Sequence, residues 1–245
     1  MQRFNRIKVI GTGGIGLSLL PNLCRFVQYE TTKFPSPEVH LVDGDTFEEK
    51  NRDRQKFTQY GPKATATAND IRNEFPRLKV YDHPVFVDED NVVKFLREGD
   101  LVLSCVDNHQ TRKILSDRAE ELNNIIVISG ANDVTHGDII THIRMDGKNI
   151  TSPVACKHHH PTIANPTDLH PKQMNQPGSC TRQAESKPQL VLMNNLVAAN
   201  MLGMFYNCTD PVLMSERVLK NPAMYHQAYI DMTIMACVCR ERKVM

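Results

Sequence analysis

The chain has 245 residues, of which 40% are hydrophobic, and its formal net charge is +1. This length suits one large domain with a sizeable core, or one domain with an appended lobe. A charge so near zero gives no argument for nucleic acid or an anionic membrane as the main partner. The sequence contains no apolar run close to the ~18 residues that a membrane-spanning helix needs.

Cysteine usage indicates a reducing compartment. The cysteines are odd in number and irregularly spaced, and the first residues, MQRFNR, lead directly into a strand-like run without a secretory signal. We therefore expect reduced thiols in a cytoplasmic protein. The seven cysteines are Cys24, Cys105, Cys156, Cys180, Cys208, Cys237 and Cys239.

Short apolar runs alternate with helix-like segments in the first part of the chain. This alternation predicts parallel βαβ units and a doubly wound, mostly parallel, Rossmann-like α/β sheet. Ligands of such sheets bind at the carboxyl ends of the strands. The predicted strands are 7–10, 39–43, 78–87, 101–107 and 125–130, and the predicted helices are 17–29, 62–75 and 110–123.

The character of the sequence changes after residue 150. Residues 151–180 are rich in Pro, His, Asn, Thr and Lys, which predicts a long crossover without secondary structure. Residues 186–206 return to a helical apolar pattern, and residues 228–239 predict a late strand that extends the sheet in the antiparallel sense. We predict a nucleotide-binding part at 1–150, a crossover loop at 151–185, and a helix and strand at 186–245 that complete the same domain.

A glycine-rich turn, GTGGIG, follows the first predicted strand and precedes the first helix. Gly11 permits a tight turn, Gly13 and Gly14 let backbone N–H groups approach phosphate oxygens, and Gly16 allows close packing of helix and strand. The N-terminus of the helix adds partial positive charge. The turn predicts a phosphate-binding site, but it does not distinguish NAD, FAD and ATP, and a purely structural turn is the alternative.

The segment DGDTFEEKNRDRQ, residues 43–55, carries more specific information. It resembles the D-x-D-x5-N-x2-R-Q stretch of the ThiF/MoeB/HesA family, which includes the ubiquitin-activating enzymes. GPK (61–63) and CVDN (105–108) with Arg112 resemble the next two blocks of that family, in the same order. The positions in register are Asp43, Asp45, Asn51, Arg54, Gln55, Lys63, Asp107 and Asn108.

The resemblance implies adenylation by Mg-ATP: a carboxylate attacks the α-phosphate, and pyrophosphate leaves. The developing negative charge must be neutralised by positioned cations and a metal. By resemblance, Arg54 and Lys63 supply positive charge to the phosphates. Asp107 binds magnesium, a hard cation that prefers oxygen ligands.

The remaining roles concern the nucleotide and the acceptor. By resemblance, Asp43 binds the ribose hydroxyls, whereas Asn51 and Asn108 orient phosphate and nucleotide. The resemblance also implies a homodimer that acts on the C-terminus of a small ubiquitin-like or sulfur-carrier protein. Transfer to a thiol is a further implication, with Cys180 in PGSCTRQAE as the first candidate nucleophile and Cys156 as the second.

Metal sites other than magnesium find little support in the sequence. Many relatives hold a structural zinc with two CxxC pairs, but this chain contains no CxxC, so we predict no zinc site of that type. The run Cys156-Lys157-His158-His159-His160, with His170, could in principle bind a metal. Adjacent histidines in a loop are more often ordinary polar loop residues.

Two other functions remain open at this point. An NAD(P)-dependent oxidoreductase would explain the glycine turn and Asp43, but it leaves Asn51, Arg54, Lys63 and Asp107 without a role. A ThiF-like protein without catalytic activity, acting as a binding subunit, would retain the same nucleotide-site residues.

Overall fold

The computed structural model describes residues 6–52, 55–174 and 191–239. In these residues a nine-stranded sheet has the order β11-β10-β8-β7-β6-β1-β2-β5, and β9 pairs with β8. Strands β5, β2, β1, β6 and β7 are parallel, whereas β8, β10 and β11 extend the sheet in antiparallel pairings. The predicted fold class, a mostly parallel Rossmann-like sheet with a late antiparallel extension, is therefore confirmed.

The strands are short, and most of the central ones are buried. β3 and β4 form a separate two-stranded ribbon beside the main sheet. The strands are β1 Arg6–Ile10, β2 Glu38–Val42, β3 Thr46–Phe47, β4 Gly61–Pro62, β5 Lys79–His83, β6 Leu101–Ser104, β7 Ile125–Asn132, β8 His136–Met145, β9 Lys148–Asn149, β10 Gln227–Asp231 and β11 Ala236–Cys239.

The long helices agree with the sequence pattern, although several boundaries differ. α1 begins at Gly14 rather than at residue 17 and contains Pro21, and Pro62 is the residue before α2 rather than its first. The helices are α1 Gly14–Tyr29, α2 Lys63–Glu74, α3 Val92–Phe95, α4 His109–Glu120, α5 Pro161–Ala164, α6 Pro171–Met174, α7 Val191–Thr209, α8 Pro211–Leu213 and α9 Ala223–His226, with a 3-10 turn at Glu49–Asn51 and a π-turn at Met214–Val218.

Three features of the sheet differ from the predicted elements. Residues 228–239 form the hairpin β10–β11 rather than one strand, and Met235 in its turn has a φ of 53°. Strand β8 pairs antiparallel with β7 along its length, so the parallel part of the sheet ends at β7. The third predicted strand stops at His83, directly before Pro84, whose ring removes a backbone donor.

The part of the crossover that the structure describes, residues 151–174, is not structureless. It contains α5 and α6 and is anchored to β8 and to the loop that follows β5. The Thr151 hydroxyl donates to the carbonyl of Thr141 at 2.6 Å, and His170 Nε2 lies 2.7 Å from the carbonyl oxygen of Val87. Within the described residues, none of the helices combines the length and the apolar character needed to cross a membrane.

Helix α7 covers β7 and β8 at close range because two glycines face it. A Cβ added at Gly130 would lie 2.3 Å from the sulfur of Met201, and one added at Gly137 would lie 2.5 Å from a methyl group of Val197. Met201 and Val197 are buried in the main hydrophobic core, together with residues of α1 and β1. The apolar pattern of α7 therefore reflects tight packing on the antiparallel half of the sheet.

Candidate functional site

The glycine turn joins β1 to α1 at the carboxyl edge of the sheet, as the sequence predicts. Gly11 has a φ of +92°, and its N–H donates to the carbonyl of Val42 at 2.9 Å. A Cβ at Gly11 would lie 2.7 Å from the carbonyl oxygen of Cys105, and a Cβ at Gly16 would lie 2.2 Å from that of Gly11. Both positions therefore require glycine for the close approach of β1, β6 and α1.

The residue between the first two glycines, Thr12, fixes the turn to the end of β2. Its N–H and its hydroxyl both donate to Asp43 Oδ2, at 2.6 and 3.0 Å. The N–H of Asp45 donates to Asp43 Oδ1 at 2.9 Å. Asp43 therefore organises the loop that follows β2, which is a role that the sequence did not indicate. Its predicted role toward ribose remains a prediction.

The groups around Asp43 shift the pKa of its carboxyl in opposite directions. Burial is the largest influence and raises the pKa of this carboxyl above its usual range. The positive charge of Lys63 and the hydrogen bonds from Thr12 and Asp45 act in the opposite direction, whereas the negative charge of Asp45 raises the pKa further. The carboxyl thus depends on its donors and on Lys63 to remain charged.

Lys63 reaches the same region from the first residue of α2. Its ammonium group pairs with Asp45 Oδ2 at 3.1 Å, and its backbone N–H donates to the carbonyl of Asp45 at 2.8 Å. The lysine side chain is largely buried, whereas 48% of the Asp45 side chain is exposed. Lys63 therefore presents a fixed positive charge at the partly open side of the site.

The 3-10 turn after β3 contains Asn51 and leads to Gln55, two more of the predicted site residues. Asn51 is buried, and its Oδ1 accepts from the N–H of Glu48 at 2.9 Å, which closes the turn. The carbonyl of Asn51 accepts from the N–H of Gln55, whose Nε2 lies 3.7 Å from where a Cβ on Gly13 would be. Gln55 therefore flanks the glycine turn, as its predicted binding role requires.

Strand β6 neighbours β1, so the residues after it lie at the same edge of the sheet as the glycine turn. Asp107 is exposed there. Asn108 is buried and caps α4, since its Oδ1 accepts from the N–H of Thr111 at 2.8 Å. Arg112, also buried, donates twice to the carbonyl of Val106. The structure thus gives Asn108 a capping role, and its role toward a nucleotide remains a prediction.

The structure therefore brings most of the predicted residues to one edge of the sheet. A chain of hydrogen bonds joins the glycine turn to Asp43, Asp43 to Asp45, and Asp45 to Lys63. Gln55 flanks the same turn, and Asp107 lies three residues after the neighbouring strand β6. Two predicted residues, Arg54 and Cys180, lie outside the described residues.

Besides Thr12, a residue of α7 in this region was missed by sequence reasoning. Asn194, in the first turn of α7, is completely buried against Gly14, because its Nδ2 lies 2.2 Å from where a Cβ on Gly14 would be. Its Oδ1 accepts from Asn132 Nδ2 at the end of β7, at 3.0 Å. The available signal was a polar residue on the buried side of α7, between the buried residues Met193 and Val197.

The histidine run does not form a metal centre with its neighbours in the part of the chain that is described. No group of three or more His, Cys, Asp or Glu residues there has the arrangement needed to hold a metal ion. His160 instead lies beside His226, with Nε2 atoms 3.4 Å apart, and His170 contacts the carbonyl of Val87.

The described cysteines differ sharply in chemical character. Cys24, Cys105 and Cys208 are buried in the core, and burial raises the pKa of each thiol to about 12. Because the thiolate is the nucleophile, these three thiols are inert near neutral pH. Cys156 is partly exposed and Cys237 is exposed. Of these five residues, only Cys156 and Cys237 are accessible to a substrate.

Alkylation of the folded protein by iodoacetamide near neutral pH should modify Cys237. It should leave Cys24, Cys105 and Cys208 unmodified, because the thiols of these three residues are protonated and enclosed by the core. Peptide mapping by mass spectrometry measures this pattern, and alkylation in concentrated urea is the control in which every thiol should react. Modification of Cys208 under native conditions, at a rate similar to that of Cys237, would contradict the burial described above.

The order of the strands, the glycine turn and the helix that follows it place the molecule in the class of Rossmann-like α/β proteins that have a ligand site at the carboxyl edge of the sheet. The chain belongs to the ThiF family, because the model of that family matches residues 2–239. The resemblance inferred from the motifs is therefore confirmed across nearly the whole chain.

Curated relatives are similar over about half of this chain. The SUMO-activating enzyme subunit uba-2 of Caenorhabditis elegans is 30% identical over 132 residues, which are 52% of this chain and 21% of that protein. The adenylyltransferase and sulfurtransferase UBA4 of Kluyveromyces lactis is 27% identical over 129 residues, 51% of this chain and 27% of that protein. The matched region is thus between a fifth and a third of the length of these relatives.

Solved structures resemble the whole chain. E. coli MccB with ATP has a TM-score of 0.65 at 15% identity, covering 99% of this chain and 66% of that one. PaaA has a TM-score of 0.58 at 14% identity, covering 99% and 65%. At such low identity these likenesses bear on the fold alone. They show that these proteins share the overall fold of this chain.

Proposed function

We propose that this protein is an ATP-dependent adenylyltransferase that activates the C-terminal carboxylate of a small ubiquitin-like or sulfur-carrier protein as an acyl-adenylate. The observation that carries the proposal is the hydrogen-bonded assembly of the glycine turn, Asp43, Asp45 and Lys63, with Asp107 on the adjacent strand end. Membership of the ThiF family supports it, and so do relatives named SUMO-activating enzyme subunit and adenylyltransferase.

In the proposed reaction, an oxygen of the acceptor carboxylate attacks the α-phosphorus of ATP. The bond from that phosphorus to the oxygen bridging the α- and β-phosphates breaks, and pyrophosphate leaves with the electron pair. The N–H groups at the start of α1 hold phosphate oxygens, because the helix N-terminus carries unpaired donors and partial positive charge. Gly13 leaves room for this approach, whereas the space beside Gly14 is occupied by the side chain of Asn194.

Positive charge is needed where the leaving pyrophosphate gains negative charge. Lys63 is suited to this task because its pairing with Asp45 and its buried stem hold the ammonium group in one place. Arg54 is proposed to supply a second cation on the strength of its place in the R-Q motif. Since the Asp45 side chain is more exposed than that of Lys63, a phosphate oxygen can replace Asp45 as the ion-pair partner of Lys63.

Magnesium fits the donor set at the end of β6. Mg²⁺ is usually bound by one or two carboxylates together with substrate phosphates rather than by an all-protein cage. The exposed carboxylate of Asp107 provides such a ligand. The ion, when bound, neutralises phosphate charge and polarises the reacting phosphoryl group. Asp107 would hold it next to the turn, because β6 and β1 are neighbours.

A transfer step is the finer part of the proposal. The thiolate of Cys180 would attack the acyl carbon of the adenylate, AMP would leave, and a thioester would remain on the enzyme. The placement of Cys180 between the crossover and α7 in the sequence supports this role. The core cysteines Cys24, Cys105 and Cys208 are poor alternatives because burial keeps them protonated.

ATP–pyrophosphate exchange tests the proposal directly. The protein is incubated with ATP, magnesium and labelled pyrophosphate, with and without candidate carriers that end in Gly-Gly. We expect label in ATP only when a carrier with a free C-terminal carboxylate is present. The matched control is the same carrier with an amidated C-terminus, which cannot be adenylated. Calorimetric titration with NAD is a second control, since tight NAD binding without exchange would favour an oxidoreductase.

A further inference from the structure

Asn194 places a buried amide directly against the start of α1. The side chain is completely buried, and its Cγ and Nδ2 lie 2.7 and 2.2 Å from where a Cβ on Gly14 would be. Any side chain at position 14 would therefore displace this amide. The glycine at position 14 allows a residue of α7 to reach the N-terminus of the first helix.

The orientation of the Asn194 amide is fixed by a chain of hydrogen bonds. Asn132 Nδ2 donates to the carbonyl of Asp133 at 3.3 Å and to Asn194 Oδ1 at 3.0 Å. Turning the Asn194 amide over would put two N–H₂ groups against each other, which this pairing excludes. The Nδ2 group of Asn194 must therefore face Gly14.

This Nδ2 group has no hydrogen-bond partner among the described residues, although it is fully buried. Buried amide donors are almost always paired, because water cannot replace the missing acceptor. The neighbouring groups at the start of α1 are themselves N–H donors with partial positive charge. An acceptor that satisfies such a cluster of donors is an anionic oxygen.

We infer that Asn194 is a ligand-binding residue, whose Nδ2 donates a hydrogen bond to an anionic oxygen held at the glycine turn. The inference rests on the proposed function for the source of that oxygen, which is a phosphate of the nucleotide or the carboxylate of the acceptor. Asn132 then acts as a positioning residue, since it orients the Asn194 amide.

The inference makes α7 part of the ligand site rather than only a cover for the sheet. Asn194 lies in the first described turn of α7. An oxygen bound by Asn194 would therefore hold this turn of the helix against the glycine turn.

Two substitutions separate ligand binding from packing. Asn194→Asp keeps the shape of the side chain but replaces the donor by a negative oxygen, whereas Asn194→Ala removes the amide without adding charge. Asn207→Asp is the matched control, because Asn207 is a partly exposed residue of the same helix that donates to the carbonyl of Gly203. Thermal unfolding without ligand shows whether each variant is folded.

Calorimetric titration of the full chain with ATP, inorganic pyrophosphate and adenosine measures the effect. We expect Asn194→Asp and Asn194→Ala to weaken ATP and pyrophosphate binding by about 10-fold or more, as loss of a hydrogen bond to a charged group predicts. Adenosine binding and all binding by Asn207→Asp should be unchanged. Unchanged ATP binding with a raised KM for the carrier would assign the oxygen to the acceptor carboxylate instead.

Contrary outcomes can be told apart from failure of the proposed function. If the folded Asn194 variants bind every ligand and use the carrier like the parent, the inference is overturned and Asn194 is a packing residue. If the parent binds pyrophosphate but not ATP, the proposed function fails. The Asn194 variants then still test whether the Nδ2 group of Asn194 donates to an anionic oxygen. A parent that binds neither ligand contradicts both.

Discussion

Asp107→Ala should lower carrier-dependent ATP–pyrophosphate exchange by about 100-fold or more, which is the scale expected when charge stabilisation of a transition state is lost. Asp107 is exposed at the end of β6, so its removal should leave the free energy of unfolding nearly unchanged. Exchange kinetics and urea unfolding of the same preparation measure the two quantities separately. Asp107→Glu, which keeps the oxygen ligands, should retain more activity than Asp107→Asn.

The control for Asp107 is Asp117→Ala in α4. Asp117 pairs with Lys113 one helical turn away on an exposed face, so its loss should affect neither exchange nor stability appreciably. If Asp107→Ala retained the exchange rate of the parent, a magnesium role for this residue would be untenable. If cellular function survived Asp107→Ala while exchange was lost, the chain would act as a binding subunit rather than as a catalyst.

Gly11→Ala should destabilise the protein by about 3 kcal/mol, because it combines an unfavourable backbone conformation with a steric clash. The new Cβ would have to exist at a φ of +92° and 2.7 Å from the carbonyl oxygen of Cys105. Relief of the clash would separate β1 from β6 and move the glycine turn. ATP binding should therefore weaken in the fraction that remains folded. Urea unfolding at a constant m-value gives the change in stability.

Substitutions at two other glycines separate the cost of the backbone conformation from the cost of the steric clash. Gly61 has a φ of +121° but a Cβ there would have no neighbour within 4 Å, so Gly61→Ala should show only the conformational cost, about 1–2 kcal/mol. Gly203, inside α7, is equally unobstructed, and Gly203→Ala should stabilise the helix by up to about 1 kcal/mol. Equal losses at Gly11 and Gly61 would show that the Cys105 contact adds nothing.

The parallel half of the fold and its ligand edge could be predicted from sequence because their signals are local. Each buried strand is a short β-branched run, and GTGGIG has both the composition and the position that a strand–helix turn requires. The family motif then predicted that Asp45 and Lys63 belong to one site, and the structure joins them in an ion pair.

The C-terminal hairpin was not predicted because its turn carries little recognisable turn chemistry apart from Asp231, whose Oδ1 accepts from the N–H and the hydroxyl of Thr233. The run AYIDMTIMACVC is otherwise largely apolar, yet Ile234 and Met235 lie in the turn, and they are 71% and 84% exposed. Without Gly, Pro or Asn at the reversal, the pattern resembles one strand. Apolar character here marks exposed residues as well as buried ones.

The roles of Thr12 and Asn194 were missed for a different reason. Both depend on partners that are distant in sequence: Asp43 for Thr12, and Gly14 with Asn132 for Asn194. Periodicity describes which side of an element is buried, but not which group it meets. Only the assembled sheet brings these groups together.

The close packing of α7 on Gly130 and Gly137 has a consequence for biosynthesis. Strands β7 and β8 are complete by residue 145, but their apolar cover is made only when residues 191–209 have been synthesised. Until then, the nascent chain carries an uncovered hydrophobic sheet face, a state that favours aggregation and chaperone binding. A stop codon or ribosomal stall between residues 145 and 191 should therefore yield an insoluble product, although the glycine turn, Asp43, Asp45, Lys63 and Asp107 would already be present.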